Sequence, residues 1–167
     1  MNRPKIALIA TTLSCLVLLA VALYLQLVEK MLPCPLCVMQ RYAFIAIALS
    51  CLITLALPAA LRRIGLGLGL LSVFSGIGIA GYHLWVLANP EISCGIDPLE
   101  TGLNKIFLSR LLPVLFKADG LCDTPYAPIL GLSIPAWAMV CFLIFAVILS
   151  SLFFGKKRER ELFGKNY

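Results

Sequence analysis

The chain has 167 residues, of which 61% are hydrophobic and only 13% charged, a balance too apolar for a water-soluble domain of this size. Its net charge of +6 invites a nucleic-acid partner. Most of the basic residues, however, sit at the two ends and in one short turn instead of on a single surface, which argues against that class.

A helix needs about 20 apolar residues to cross the roughly 30 Å hydrocarbon core. Four stretches qualify: Ile6 to Val28, Tyr42 to Leu61, Ile64 to Pro90 and Ser133 to Phe154, none of them carrying an acidic or basic residue apart from the single histidine, His83. The chain therefore reads as an all-α membrane protein, one domain over 1–167 built as a four-transmembrane-helix bundle. Its helices are expected at about 6–28, 35–58, 64–88 and 134–154, with outer loops at 29–34 and 89–133. The first helix, ~35 Å long at 1.5 Å per residue, begins like a signal peptide, with Arg3 and Lys5 ahead of an apolar run and Ala20-Val21-Ala22 as a candidate cleavage site. The apolar run continues past that point to Leu27, so the helix is expected to be retained.

The second helix is expected to start at Pro35, where a first-turn proline loses nothing by lacking an N–H, with Cys34 near the N-cap. Pro58 and Arg62-Arg63 close the inner turn. The third helix is glycine-rich, and pairs four apart such as Gly65/Gly69 and Gly76/Ala80 suit close helix packing in lipid. Gly76 to Gly81 also fits G-x-G-x-x-G, but no strand precedes it and no acidic residue follows, so packing is the reading and not a dinucleotide site.

The segment from Asn89 to Leu132 is the only long polar stretch. Asp97-Pro98-Leu99-Glu100 reads as a capped helix start. Apolar residues then recur at helical spacing from Leu99 to Leu115, with Pro113 kinking or ending the helix. Such a helix is expected to lie flat on the outer surface, with Gly95, Gly102, Gly120, Pro98 and Pro125 as hinges around it. Ser133-Ile134-Pro135 opens the last helix, with Trp137 at interface depth.

Charge sets the orientation. The N-terminus, the turn at Arg62 and the tail carry nine basic residues against two acidic ones, and the opposite side five basic against six acidic. By the positive-inside rule both termini are cytoplasmic. That topology sorts the seven cysteines. Cys15, Cys51 and Cys141 fall inside helices and read as small buried hydrophobes. Cys34, Cys37, Cys94 and Cys122 fall on the outer side, where an oxidising compartment such as the bacterial periplasm lets disulfides persist.

Cys34-Pro35-Leu36-Cys37 has the spacing of dithiol–disulfide chemistry and lies on the seam between two membrane spans. Cys37 and Arg41 are four apart and share a helix face. The helix N-terminus and the guanidinium charge both favour a thiolate. An arginine near hydrocarbon is costly, although snorkelling relieves part of that cost. Beside a dithiol it can donate hydrogen bonds to a quinone carbonyl.

The string Cys34-Pro35-Leu36-Cys37-Val38-Met39-Gln40-Arg41 resembles the C-x-L-C-x-x-Q-R signature of the DsbB family of bacterial inner-membrane disulfide bond formation proteins. Leu130 to Trp137 is similar to that family's opening of its last helix. The resemblance spans nearly the whole chain and implies a Gram-negative inner-membrane oxidoreductase that reoxidises a DsbA-like periplasmic dithiol protein, the route that keeps the periplasm oxidising. It implies that Cys94 and Cys122 form the disulfide that accepts the electrons, with Cys94 joining the partner and Cys122 passing electrons to Cys34. It also implies that Cys37 contacts ubiquinone (or menaquinone), that Arg41 sits beside the quinone head group, and that His83 lies near it. No metal and no haem is expected. Cys94 and Cys122 are 28 positions apart and make no second zinc half-site, and one histidine cannot supply two axial imidazoles.

Overall fold

The computed structural model describes residues 3–58, 60–89, 102–105, 109, 111–118, 120 and 128–155. They form α1 (Arg3–Leu27), α2 (Pro35–Ala56), α3 (Arg62–Ala88), a short α4 (Pro113–Phe116) and α5 (Ile134–Phe154). No named strand occurs among the described residues; a single bridge joins Ile129 and Leu132. The molecule is an all-α, four-helix membrane protein: α1, α2, α3 and α5 are each long and apolar enough to span a bilayer.

The helix limits follow local chemistry. Pro35 takes the first turn of α2, and the sulfur of the N-cap Cys34 accepts the Cys37 N–H at 3.3 Å. α2 stops at Ala56 because Leu57 precedes Pro58 and is driven to an extended conformation (φ −73°, ψ 147°) by the clash that disfavours helix before proline. α3 starts at Arg62, whose Nε donates to the Leu57 carbonyl across the turn at 3.1 Å. In the second outer segment, Leu112 (φ −130°, ψ 68°) breaks the chain direction and Pro113 opens α4. The expected break at Pro113 therefore falls just before it, and the proline begins a new turn. The expected helix start at Asp97 lies outside the described residues.

α2 is the hub. It packs on α1 and on α3, α3 packs on α5, and α1 meets α5 only slightly. The small residues of α3 make this possible. Gly65, Gly69, Gly76 and Ala80 are all buried. A Cβ at Gly76 would lie 2.5–2.8 Å from three atoms of the Phe142 ring, and one at Gly69 would lie 3.2 Å from Leu149 Cδ1. Phe142 uses that space to stack on Phe44, centroids 4.3 Å apart. Buried Thr11, Thr12, Ser50 and Thr54 return their hydroxyls to carbonyls four residues earlier, so they need no partner helix. Outward positions such as Leu16, Leu71, Phe74 and Val147 stay apolar and exposed, as lipid requires.

Candidate functional site

The first outer loop delivers Cys34 to the N-cap of α2, and one helical turn brings Cys37 beside it. Their sulfurs are 3.2 Å apart, within hydrogen-bond contact and not joined as a disulfide. The two environments differ. Cys34 is 3% exposed, whereas Cys37 is partly open. The helix N-terminus serves Cys34 directly, through the Cys37 N–H, so the N-cap and dipole effects that the spacing assigned to Cys37 also reach Cys34.

His83 arrives from α3. It is buried, with Nε2 3.7 Å from Cys34 Sγ and Nδ1 3.4 Å from Gln40 Nε2. Gln40 therefore sets the ring's tautomer: an amide oxygen on Nδ1 leaves Nε2 bare, and an amide NH2 on Nδ1 leaves Nε2 protonated. Sequence reasoning singled out His83 but not Gln40. Gln40 entered only as the glutamine of the C-x-L-C-x-x-Q-R string, without a role, and nothing in that string points to a neighbour 43 residues away.

Arg41 is 6% exposed. Its Nη1 donates to Gln26 Oε1 at 2.8 Å and to the Leu115 carbonyl at 2.9 Å, and its Nη2 reaches the Ala22 carbonyl at 3.4 Å. The guanidinium thus ties α1, α2 and the second outer segment together. Phe116, next to that carbonyl, stacks on Tyr42 with centroids 4.4 Å apart. Ala118 exchanges two hydrogen bonds with the Asn104 amide, at 3.0 and 3.1 Å.

Gly120 then donates to the Pro33 carbonyl at 3.1 Å, and a Cβ there would lie 2.9 Å from Leu32 C and run into the Leu32 carbonyl oxygen. The expected hinge at Gly120 is a dock instead: glycine is needed because two backbones touch. A Cβ at Gly102 would meet nothing within 4 Å among the described residues. Cys94, Cys122, Gly95, Pro98 and Pro125 lie outside the described residues.

Both sulfurs, Gln40, Arg41 and His83 line one cavity of about 690 Å³, within the usual size of small-molecule sites. α1, α2, α3 and α5 all contribute apolar wall, and the cavity occupies the seam where α1 and α5 barely meet. Opposite, residues 129–132 form a tight turn with Leu130 at φ +54° and Gly131 at φ +82°, and the Trp137 indole N–H fixes it by donating to the Ile129 carbonyl at 2.8 Å.

A dithiol capping a helix at the mouth of an apolar cavity, inside a four-helix membrane bundle, defines a membrane thiol–disulfide oxidoreductase. Residues 4–152 match the family model described as Disulfide bond formation protein DsbB. The chain is 56% identical to Disulfide bond formation protein B of Herminiimonas arsenicoxydans over 157 residues, 94% of this chain and 99% of that protein. It is 46% identical to the Ralstonia nicotianae protein of that name over 85% of this chain and 89% of the relative. It is 42% identical to Disulfide bond formation protein B 1 of Pseudomonas putida over 95% of each. The chain belongs to the DsbB family. It is a multi-pass membrane protein and a disulfide-forming oxidoreductase, and its work entails a disulfide-exchange partner.

Proposed function

We propose that the protein reoxidises a DsbA-like periplasmic dithiol protein and delivers the electrons to a membrane quinone, from the inner membrane of a Gram-negative bacterium with both termini in the cytoplasm. The observation that carries this reading is the placement of Cys34 and Cys37 on the wall of an apolar cavity that opens along a helix seam.

In this reading Cys94 forms the mixed disulfide with the partner, and Cys122 is released and passes the electron pair to Cys34. The disulfide of Cys34 and Cys37 is thereby reduced, and Cys37 hands the pair to the cavity's occupant. The cavity suits a quinone head group: apolar walls flank the ring, and Arg41 and His83 supply N–H donors beside the sulfurs. A bound quinone would supply a two-electron sink. Arg41 and His83 would offer N–H groups to its carbonyls, and the apolar walls would limit water around the sulfurs. Both sulfurs line the cavity, Cys37 the more open and Cys34 buried against His83; in this reading Cys37 meets the occupant and Cys34 exchanges with Cys122. DsbA is a strong oxidant, so its reoxidation needs a sink of higher potential still, and each 30 mV is worth about 1.4 kcal/mol for two electrons.

The test mixes detergent-solubilised protein with a reduced DsbA-like protein and a soluble quinone. Quinone absorbance falls in the wild type and stays constant in Cys37→Ser and in Cys94→Ser. Equal loss in either variant refutes the route.

A further inference from the structure

The sequence argues against a four-cysteine zinc site, but it does not reveal that α3 brings an imidazole onto the dithiol. The donor atoms of Cys34, Cys37 and His83 lie within 4.8 Å of one another, with Sγ–Sγ at 3.2 Å and Cys34 Sγ–Nε2 at 3.7 Å. In a tetrahedral site with Zn–S near 2.3 Å and Zn–N near 2.0–2.1 Å, ligand–ligand edges are about 3.8 Å for S–S and about 3.5 Å for S–N. To meet that geometry the sulfurs need to separate by about half an ångström, and Cys37 Sγ needs to come to about 3.5 Å from Nε2, from within the 4.8 Å that spans the three donor atoms.

Two further features complete the site. Gln40 reaches Nδ1 with its amide, and with that amide turned so that Oε1 accepts the Nδ1–H, Nε2 is left bare for a metal, the usual support for a metal-binding imidazole. All three ligands also face the shared cavity, which leaves room for a water in the fourth position, the pattern of an open three-ligand site. The donors are soft, which selects Zn2+ or Cd2+ over Mg2+ or Ca2+. Arg41 in the same wall repels a bare cation, but two thiolates and a neutral imidazole make a divalent ion electrically neutral in place. Burial penalises a neutral complex far less than a lone charge.

We propose that the reduced Cys34–Cys37–His83 cluster is a binding site for one thiophilic divalent cation, and that occupancy blocks the protein's turnover. Binding converts two thiols and M2+ into two metal–thiolate bonds and two released protons. No electrons move, and the sulfurs stay reduced and withheld from disulfide formation. The oxidised form has no thiolate to offer, so the site exists only while the pair is reduced, within a turnover. The blocking arm rests on the function proposed above, whereas the binding arm does not.

The experiment uses the full chain in detergent, carrying Cys94→Ser and Cys122→Ser so that the other outer pair is silent, reduced with a metal-free phosphine and titrated with Cd2+ alone. One Cd2+ per chain is expected in the reduced form and none after oxidation. Cys34→Ser and Cys37→Ser abolish binding. His83→Ala weakens it at least 10-fold, and Gln40→Ala weakens it about 10-fold, as loss of an outer partner does elsewhere. Cadmium NMR of the parent chain reads the donor set without disturbing α3; two sulfurs and a nitrogen are expected. Unchanged affinity in His83→Ala, a shift typical of sulfur and oxygen only, or uptake that survives loss of either cysteine overturns the site.

In the quinone assay, Cd2+ slows the wild type, a chelator restores it, and His83→Ala requires more Cd2+ for the same block. Turnover that persists with the site filled overturns the blocking arm. Absence of any turnover in metal-free wild type refutes the proposed function instead, and the titration still decides the site.

Discussion

Arg41 separates two roles that one residue can hide. Its charge faces the dithiol cavity, and its hydrogen bonds hold the Leu115 carbonyl and Gln26 at 2.9 and 2.8 Å. A hydrogen bond to a charged group contributes about 1.5–3 kcal/mol; the 3.4 Å contact with Ala22 adds little. Arg41→Met removes both roles. Loss of the Leu115 bond alone should raise the opening equilibrium of the segment around α4 by roughly 10- to 150-fold, at 1.4 kcal/mol per factor of ten. The amides of Phe116, Lys117 and Ala118, bonded to Leu112 O, Pro113 O and Asn104 Oδ1, report that opening by hydrogen exchange. Arg41→Lys keeps the charge, but a single ammonium cannot span both acceptors with the fixed fork of a guanidinium. It should protect these amides only partly while leaving Cys37 alkylation near the wild-type rate. Protection within twofold of wild type in Arg41→Met would show that the bond to Leu115 holds nothing, and the clamp would be discarded.

Further outcomes follow from packing. Gly76→Ala should cost about 1–3 kcal/mol by overpacking, because the new Cβ meets the Phe142 ring. Gly78→Ala, which meets nothing within 4 Å, should be neutral or slightly stabilising; thermal melts in detergent compare the two. Tyr42 Oη is buried with no hydrogen-bond partner among the described residues. Tyr42→Phe should therefore hold or raise the melting temperature, since removing an unsatisfied buried hydroxyl relieves about 1–3 kcal/mol, and the stacking on Phe116 remains. Cys15→Ala, Cys51→Ala and Cys141→Ala together should keep thiol oxidation within about twofold of wild type, at some loss of stability from the emptied volume; a collapse of turnover in a folded triple variant would give those thiols a role in the chemistry.

The spans were legible because lipid imposes one rule on long stretches: no charge, and about 20 residues. The α3 glycines were legible as packing positions for the same reason, although the ring of Phe142 as their occupant was not. The dithiol and its place at the α2 N-cap were legible because Cys34, Pro35 and Cys37 act within one turn. Contacts across the bundle were not. Gln40 beside His83, Arg41 on Leu115 and Gly120 on the Pro33 carbonyl join residues 43, 74 and 87 positions apart, and no local pattern encodes them. Gly120 shows the difficulty most clearly. Glycine serves a hinge and a close backbone contact equally well, and only the neighbour across the gap tells which.

The position of the cavity follows from the same packing. α2 must touch α1 and α3 closely to bury the dithiol end, and the small residues of α3 draw α5 to the far side. That leaves α1 and α5 apart, joined at the outer end by little more than the cavity's own lining. A buried thiol pair in a fully closed bundle could exchange electrons only with water-borne partners arriving from outside. The loose seam gives the pair an apolar approach, while Arg41 and the segment around Leu115 and Phe116 pack over α2. The two sulfurs thus share the wall of one apolar cavity at the start of α2, Cys34 buried and Cys37 partly open.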